Sequence, residues 1–488
     1  MRDELEMKEI LKRYQTVSDA LKASVWFAVS NILVRGISFL TLPVFSRILT
    51  TEEYGLISVY QSWTGIFTIF CTLTIWGGVF NVAIVKNPEK IYEVVSSFQG
   101  LAATLTLAFL FVTVLFLGPF SRLLGLSEFL TVCMYIEILA LIPFALWSAV
   151  QRYFYKYKLL VACSVTTAVL NPAASYYVLM HTEYRAEAKI LVPLFINAVL
   201  GVWLFAANQK KGKAYYSRRY WTYGFRFNAV LIPHYLSMQI LNQSDRLMIN
   251  SICGSSDAGI YSAAYTFAML LGLLTSAVHS SFTPWLYRKI KEQKYEVISK
   301  VTNLAVVFVA LVTFLLICII PDVFRWMLPE EYEEALRVIP PAAVASFFMF
   351  LYPLFGAVEF YYEENKYITA ASAVSAVANI ILNALFLKRF GFCAAAYTTL
   401  VCYVIYTLAH YYFMKKILRK NGVQSSIYDT KFLSGLSAAA LIFMMLLTVL
   451  YHDTLLRRGF FILMLLTAGL FGRRKFAEAL QLLSGGSD

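Results

Sequence analysis

Charged residues are scarce in this chain. They make up 15% of its 488 residues, against about 25% in an ordinary soluble domain, and 59% are hydrophobic, against about 45–50%. That balance excludes a soluble globular fold and specifies a polytopic membrane protein. Acidic residues are the scarcer sign, 29 against 42 basic, leaving a net charge of +13. In a soluble protein such an excess would suggest nucleic acid. Here Lys and Arg crowd into loops on one side of the membrane, so no nucleic-acid partner is implied. Cysteine is sparse too: Cys71, Cys133, Cys163, Cys253, Cys318, Cys393 and Cys402 are scattered and mostly lie inside apolar spans. None has metal-ligand or disulfide-framework spacing, so they read as small core residues. The chain contains no GxxxxGK phosphate loop, HExxH, CxxC pair or GxSxG elbow, so neither direct ATP use nor a catalytic centre is indicated. A cofactor is not called for.

Long apolar runs are what the sequence has in abundance. A membrane-spanning helix needs about 20 apolar residues. Such segments fall near 23–46, 56–80, 94–117, 127–150, 158–180 and 187–207, then 227–251, 259–284, 299–320, 334–359, 368–387 and 391–413, and finally 430–451 and 458–472. The expectation is an all-α protein of about fourteen transmembrane helices, the last of them short. Loop charge tests this count: roughly 30 of the 42 basic residues fall in alternate loops on one face, and about 10 on the other. Both termini are thereby assigned to the cytoplasm. The opening segment MRDELEMKEILKRYQTVSDALK lacks the layout of a cleavable signal, and its apolar residues recur at helical spacing. Residues 1–22 are therefore expected to form an amphipathic cytoplasmic helix. The outer loops are short; the longest, from Pro321 to about Arg337, is too small for a catalytic domain.

The chain also repeats itself. After the first span it reads Thr50-Thr51-Glu52-Glu53-Tyr54-Gly55-Leu56-Ile57-Ser58, and after the seventh Ser255-Ser256-Asp257-Ala258-Gly259-Ile260-Tyr261-Ser262. Both read as hydroxyl and acid N-caps followed by Gly, an apolar residue, any residue and Ser. They lie six helices apart, so the halves share one orientation and should be related by a pseudo-two-fold axis along the membrane normal. This predicts an N-lobe of six helices over 23–207, a basic cytoplasmic linker over 208–226, and a C-lobe of six helices over 227–413. A basic loop with two further helices over 414–472 and a cytoplasmic tail over 473–488 complete the expected layout.

Each half carries an arginine inside its first span. Arg35 sits about 12 residues, or roughly 18 Å, from one end of its helix, beyond the reach of a snorkelling stem. Arg246, with Asp245 beside it, sits about five residues from the outer end. A charge at that depth costs at least roughly 2.5–3.5 kcal/mol, so it is retained where a cavity, partner or ligand uses it. Asn31, Arg35 and Ser38 share one face of the first helix, and Tyr235, Gln239, Asn242 and Arg246 one face of the seventh. The second helix offers Gln61, Thr64, Thr68 and Thr72, and the eighth Tyr261, Tyr265, Thr275 and His279. Arg35, Arg246, Asn31, Asn242, Gln239, Gln61, Tyr261 and Tyr265 are therefore the candidate substrate-binding residues. Asp245 points about 100° away from Arg246, toward either the cavity or a scaffold pairing with another helix, and Glu137, at mid-depth in the fourth helix, is placed either to counter Arg35 or to carry a coupling proton; the two are the candidates for coupling to Na+ or H+. The threonine stripe, His279, Asn171, Asn197, Asn379 and Asn383 read as interhelical hydrogen-bonding glue. Glu359, near the cytoplasmic end of its helix, is expected to be hydrated.

The stretches SNILVRGISFLTLPVFSRILTTEEYG and LNQSDRLMINSICGSSDAGIYSAAY resemble the openings of the two halves of the polysaccharide-biosynthesis (Wzx-type) flippases. These belong to the multidrug/oligosaccharidyl-lipid/polysaccharide (MOP) exporter superfamily. The resemblance implies two lobes around a cationic central cavity that alternates between cytoplasmic and outward access in a bacterial cytoplasmic membrane. The implied cargo is a polyprenyl-pyrophosphate-linked oligosaccharide, such as an O-antigen, capsule or exopolysaccharide repeat unit. Membrane lipids, and a polysaccharide polymerase with its chain-length machinery, would be partners. The family's cavity arginines would correspond to Arg35 and Arg246 by helix and depth. The rival readings are a cation-coupled multidrug antiporter of the same fold, a peptidoglycan lipid-precursor flippase and, from another class, a polymerase or membrane glycosyltransferase. The short outer loops disfavour the last.

Overall fold

The structure, a computed structural model, describes residues 18–423, 426–451 and 453–484. Most of the expected amphipathic segment 1–22 lies outside the described residues. Among the described residues the chain is helical throughout, without a strand. The helices are α1 (Asp19–Ile48), α2 (Thr51–Thr72), α3 (Val79–Lys86), α4 (Ile91–Leu115), α5 (Leu117–Leu124), α6 (Glu128–Tyr153), α7 (Tyr157–Leu179), α8 (Arg185–Gly212) and α9 (Arg218–Ala229). They continue as α10 (Ile232–Ile252), α11 (Ser255–Ala268), α12 (Leu270–Lys291), α13 (Tyr295–Met327), α14 (Ile339–Tyr361), α15 (Asn365–Phe390), α16 (Ala394–Lys420), α17 (Thr430–Leu450) and α18 (Thr454–Ser484).

Every one of the fourteen expected spans falls on a helix. Ten described helical segments are long and apolar enough to cross a membrane by length and composition alone. Those outside that set include α10, which buries Ser237, Ser244 and Asp245, and α16, which buries Thr398, Thr399, Thr407 and His410 and ends in the exposed Lys415, Lys416, Arg419 and Lys420; these polar residues lower their average hydropathy. The second and eighth spans are each broken. Leu73 and Thr74 sit at φ 53° and 48°, in the left-handed region that ends a helix, and the chain resumes as α3 after a short 3-10 turn at Ile75–Gly77. The eighth breaks at Met269 between α11 and α12. The loop expected over Pro321–Arg337 is mostly helical: α13 runs through Pro321 to Met327, and a 3-10 segment covers Glu330–Val338. The last helix extends through Ser484 into the expected tail.

The chain forms two compact units: residues 1–45 with 63–232, and residues 46–62 with 233–488. In the first, Ile75, Val79, Phe80, Ala83 and Ile84 of the broken second span pack with Val94, Val95, Phe98 and Leu101 of α4 and Ile142 and Leu146 of α6. The expected linker 208–226 is largely structured. Asn208 at the end of α8 donates to Gln99 Oε1 at 2.9 Å, and α9 buries Tyr220, Gly224 and Asn228 at i, i+4, i+8.

In the second unit α14 is the innermost helix, with 18 of its 23 residues buried. Its runs of Ala and its Gly356 admit close neighbours, which is how helices associate where no hydrophobic effect operates between them. Two segments of this unit meet closely. A Cβ on Gly55 would lie 1.8 Å from the carbonyl oxygen of Ser255, and one on Gly259 would lie 2.0 Å from that of Thr51. The hydroxyls of Thr51 and Ser256 lie 2.7 Å apart. The two repeat motifs therefore pack against each other, each glycine on the other's first turn. Their caps differ from expectation. Thr50 and Glu53 form a reciprocal capping box, but Gly254, at φ +115°, caps α11 without a side-chain bond.

Arg457, which falls between the last two expected spans, is wholly buried. It makes a bidentate pair with Asp322 at 3.0 Å on both arms and donates to the Cys318 carbonyl, fastening α18 to α13. Arg457→Ala would leave Asp322 without that pairing inside the bundle. A loss of about 3–5 kcal/mol is expected, measured as a lowered unfolding midpoint in detergent. An unchanged midpoint would show that Arg458, 3.1 Å from Asp322, suffices.

Candidate functional site

Helix α10 separates its polar residues onto two faces. Ser237, Leu241, Ser244, Asp245 and Ile249 form its buried stripe, whereas Gln239, Asn242 and Arg246 are half-buried on another. Adjacent residues point 100° apart, so Asp245 and Arg246 serve different neighbours. No ion pair joins them among the described residues.

Asp245 is 2% exposed and its carboxylate accepts four hydrogen bonds from three other helices. Tyr261 of α11 donates at 2.7 Å and Thr399 of α16 at 2.6 Å, both to Oδ2. Asn383 and Asn379 of α15 donate at 2.7 and 3.2 Å, both to Oδ1. Four donors match the acceptor capacity of an ionised carboxylate. Around them, Ser244 donates to Asn379 Oδ1 and Thr398 to Asn383 Oδ1. The donors are all neutral, so the carboxylate is satisfied in hydrogen bonds while its charge is met by no cation in this cluster. Asn379 and Asn383, read as interhelical glue, are that and also this carboxylate's cage.

Arg246 turns the other way. Its Nη1 donates to the Asn242 carbonyl at 2.8 Å and to Gln243 Oε1 at 2.6 Å, and its guanidinium carbon lies 5.1 Å from the Tyr265 ring centroid. Gln243 in turn receives the Ser62 hydroxyl at 3.2 Å. The Nε and Nη2 donors of Arg246 engage no described residue. Three N–H groups of a positioned, half-desolvated guanidinium remain for an anion, in the fork geometry that suits phosphate oxygens.

The other candidates fall into separate environments. Tyr261 and Tyr265 stack at 5.6 Å and are both buried; the Tyr265 hydroxyl has no partner among the described residues. Asn242 is tied to the fold, donating to the Met238 carbonyl and accepting from the Tyr403 hydroxyl at 3.1 Å. Gln239 is half-buried and Gln61 exposed. In the first unit, Arg35, Asn31 and Ser38 lie on an exposed face of α1, and Arg35 makes no hydrogen bond or ion pair with a described residue. Glu137 is half-buried on α6. The threonines of α2 bond within their own helix, Thr68 to the Thr64 carbonyl and Thr72 to that of Thr68, each at 2.6 Å. His279 does bridge helices, reaching the Phe350 carbonyl at 2.9 Å.

Two features were not foreseen from sequence. One is the extent of the Asp245 cage, signalled only by two asparagines four residues apart on an apolar helix. The other is a buried contact between Glu359 and His410. Glu359 is not hydrated as its place in the chain suggests; it is fully buried against α16.

Residues 20–289 match the model of a family described as polysaccharide biosynthesis protein, and residues 231–385 match a second family, MatE. The Lsg locus putative protein 1 of Haemophilus influenzae is 25% identical over 375 residues, spanning 73% of this chain and 88% of that one. The succinoglycan biosynthesis transport protein ExoT of Rhizobium meliloti is 26% identical over 250 residues, about half of each chain. Among solved structures, the lipid II flippase MurJ in an inward closed conformation superposes with a TM-score of 0.64 at 14% identity, covering 94% of this chain and all of that one. An inward-facing multidrug resistance MATE transporter of the MOP superfamily gives 0.59 at 11% identity, covering 83% of this chain and all of that one. These likenesses establish the fold.

Proposed function

Because the chain belongs to the polysaccharide biosynthesis protein family, within the MOP superfamily, we propose that this multi-pass membrane transporter is a flippase for lipid-linked oligosaccharide. It moves a polyprenyl-pyrophosphate-linked repeat unit from the cytoplasmic to the outer leaflet by alternating access. The observation that carries the reading is an arginine inside the first span of each half. Arg35 and Arg246 sit at membrane depth on the first helix of each half and retain guanidinium donors unused by described residues. In a bilayer such groups serve an anionic ligand or a water-filled path, and a pyrophosphate supplies the complementary oxygens. Tyr265, lying along the Arg246 guanidinium, holds it in place.

Asp245 supplies the coupling position. Its carboxylate and the hydroxyls of Tyr261 and Thr399 are oxygens that Na+ could take, while Asn379 and Asn383 turn their amide nitrogens to it and their oxygens to Ser244 and Thr398, so a cation would enter by displacing those donors. Sodium would supply the positive charge that the neutral donors lack. Sodium in place of choline should raise the unfolding midpoint of the wild type, because a cation bound only by the folded state stabilises it, and Asp245→Asn should abolish the increment. Equal midpoints in both salts would make the cage a scaffold.

Translocation in proteoliposomes tests the function itself. A polyprenyl-pyrophosphate oligosaccharide and, separately, a cationic dye are offered to the purified protein. Sugar appearing in the far leaflet supports the flippase; dye transport without sugar flipping makes the chain a drug antiporter instead.

A further inference from the structure

Glu359 and His410 form the most enclosed titratable pair among the described residues. Glu359 is 0% exposed and His410 1%. The Nδ1 of His410 lies 2.8 Å from Oε1 of Glu359, joining α14 to α16. Gly356, one turn before Glu359, makes room for the imidazole: a Cβ there would lie 3.6 Å from the ring. Tyr352 stacks on the imidazole at 5.5 Å, and Tyr406 lies 4.6 Å from it at a steep angle. Each partner also carries a polar atom that meets nothing. Glu359 Oε2 and His410 Nε2 are buried without a hydrogen bond among the described residues.

The surroundings decide the charge. From α10, His234 lies within electrostatic reach of His410, and its Nδ1 is 3.2 Å from the Ser372 hydroxyl. From α14 and α16 come the hydroxyl-bearing rings of Tyr352 and Tyr406, the latter donating to Met238 Sδ. No Lys or Arg forms an ion pair with Glu359 among the described residues. Glu364, five residues further on, takes the two lysines Lys366 and Lys420. A carboxylate beside a neutral imidazole would thus leave a net negative charge in a buried site that no described cation pairs with, an unfavourable arrangement. One added proton removes it, giving either imidazolium with carboxylate or imidazole with carboxylic acid; the two forms belong to the pair rather than to either residue. Losing that proton requires water at Oε2 or Nε2, and the enclosed arrangement denies it. Proton release is therefore tied to a rearrangement that opens this part of the unit.

We propose that Glu359 and His410 constitute a proton-binding site, separate from the Asp245 cage, that takes up and releases one proton in each transport cycle. The proton is held between Oε1 and Nδ1 in the enclosed state and passes to water through Oε2 or Nε2 when the site opens. The cycle itself rests on the transporter reading above; the occurrence of a proton-binding pair does not.

Two measurements on the full chain separate these. The first needs no substrate. In lipid nanodiscs, infrared difference spectra between acidic and alkaline buffer should contain a carboxyl or imidazole signal that disappears in both Glu359→Gln and His410→Gln. A wild-type spectrum identical to both variants would overturn the site. The second measures the substrate ratio between leaflets in proteoliposomes under an imposed pH gradient. One coupled proton shifts that ratio by about tenfold per pH unit. Wild type should show this shift, while both variants, eluting as monodisperse protein, should still equilibrate substrate with a ratio that ignores the gradient. Variants that keep the tenfold response would overturn the coupling. If Glu359→Gln does not fold, His410→Gln alone decides, since a neutral amide at 410 can still cap Glu359 but cannot share its proton. A wild type that flips no substrate would refute the transporter reading, with the spectra still deciding the site.

Discussion

Arg35→Gln and Arg246→Gln should each reduce flipping of a pyrophosphate-linked oligosaccharide by about tenfold to a hundredfold, with unfolding midpoints unchanged. The magnitude follows from the bond removed. A hydrogen bond to a charged group contributes about 1.5–3 kcal/mol, and each 1.4 kcal/mol or so is a factor of ten in rate. Stability should hold because neither guanidinium is a structural keystone. Arg35 bonds no described residue, and Arg246 uses one nitrogen on its own helix's Asn242 carbonyl and Gln243 side chain. Arg→Lys at either position keeps the charge but loses the fork, so it should restore only part of the rate. The Arg246 variant should be the more sensitive to substrate head group. Its guanidinium is half-desolvated and pinned along Tyr265, whereas Arg35 lies on an exposed face. Initial rates against substrate concentration decide the matter. Undiminished flipping in the double glutamine variant would remove the arginines from the mechanism.

Adding a methyl group at Gly55 or Gly259 should destabilise the second unit, because neither crossing has room for it. An added Cβ would sit 1.8 or 2.0 Å from a backbone carbonyl oxygen, and backbone cannot rotate aside as a side chain can. Overpacking of this kind costs about 1–3 kcal/mol, here with parting of α2 from α11. Gly55→Ala and Gly259→Ala should therefore each lower the unfolding midpoint. The double variant should cost clearly less than their sum, because either substitution alone already parts the same crossing. Strict additivity in a thermal-melt cycle would show that the two glycines do not share one contact.

Much of the architecture was legible because a bilayer imposes a length on apolar runs and a charge bias on loops. The repeat was legible as well, since its hydroxyl-acid-glycine pattern recurs at a fixed helix interval. The interruptions were announced only in part. The left-handed turn falls on Leu73 and Thr74, a few residues before the Gly77-Gly78 pair that closes the break. The arginines stood out because a lone charge in an apolar run has few explanations, whereas the Asp245 cage draws on residues more than 130 positions away, such as Asn379 and Thr399. Nothing local to Asp245 reports them. Glu359 shows the converse error. Its distance from the helix end was read as a distance from water, but lateral packing against α16, through Gly356 and His410, decides its exposure.

The crossing of Gly55 and Gly259 has a further consequence. Each motif receives from the other the same contact that it gives, glycine onto carbonyl in both directions. Such self-complementarity is the mark of an isologous interface, in which two identical subunits meet across a two-fold axis. Here both partners belong to one polypeptide. The chain carries within itself a surface that separate copies would otherwise have to find by collision, and at this crossing the association is intramolecular and independent of protein concentration.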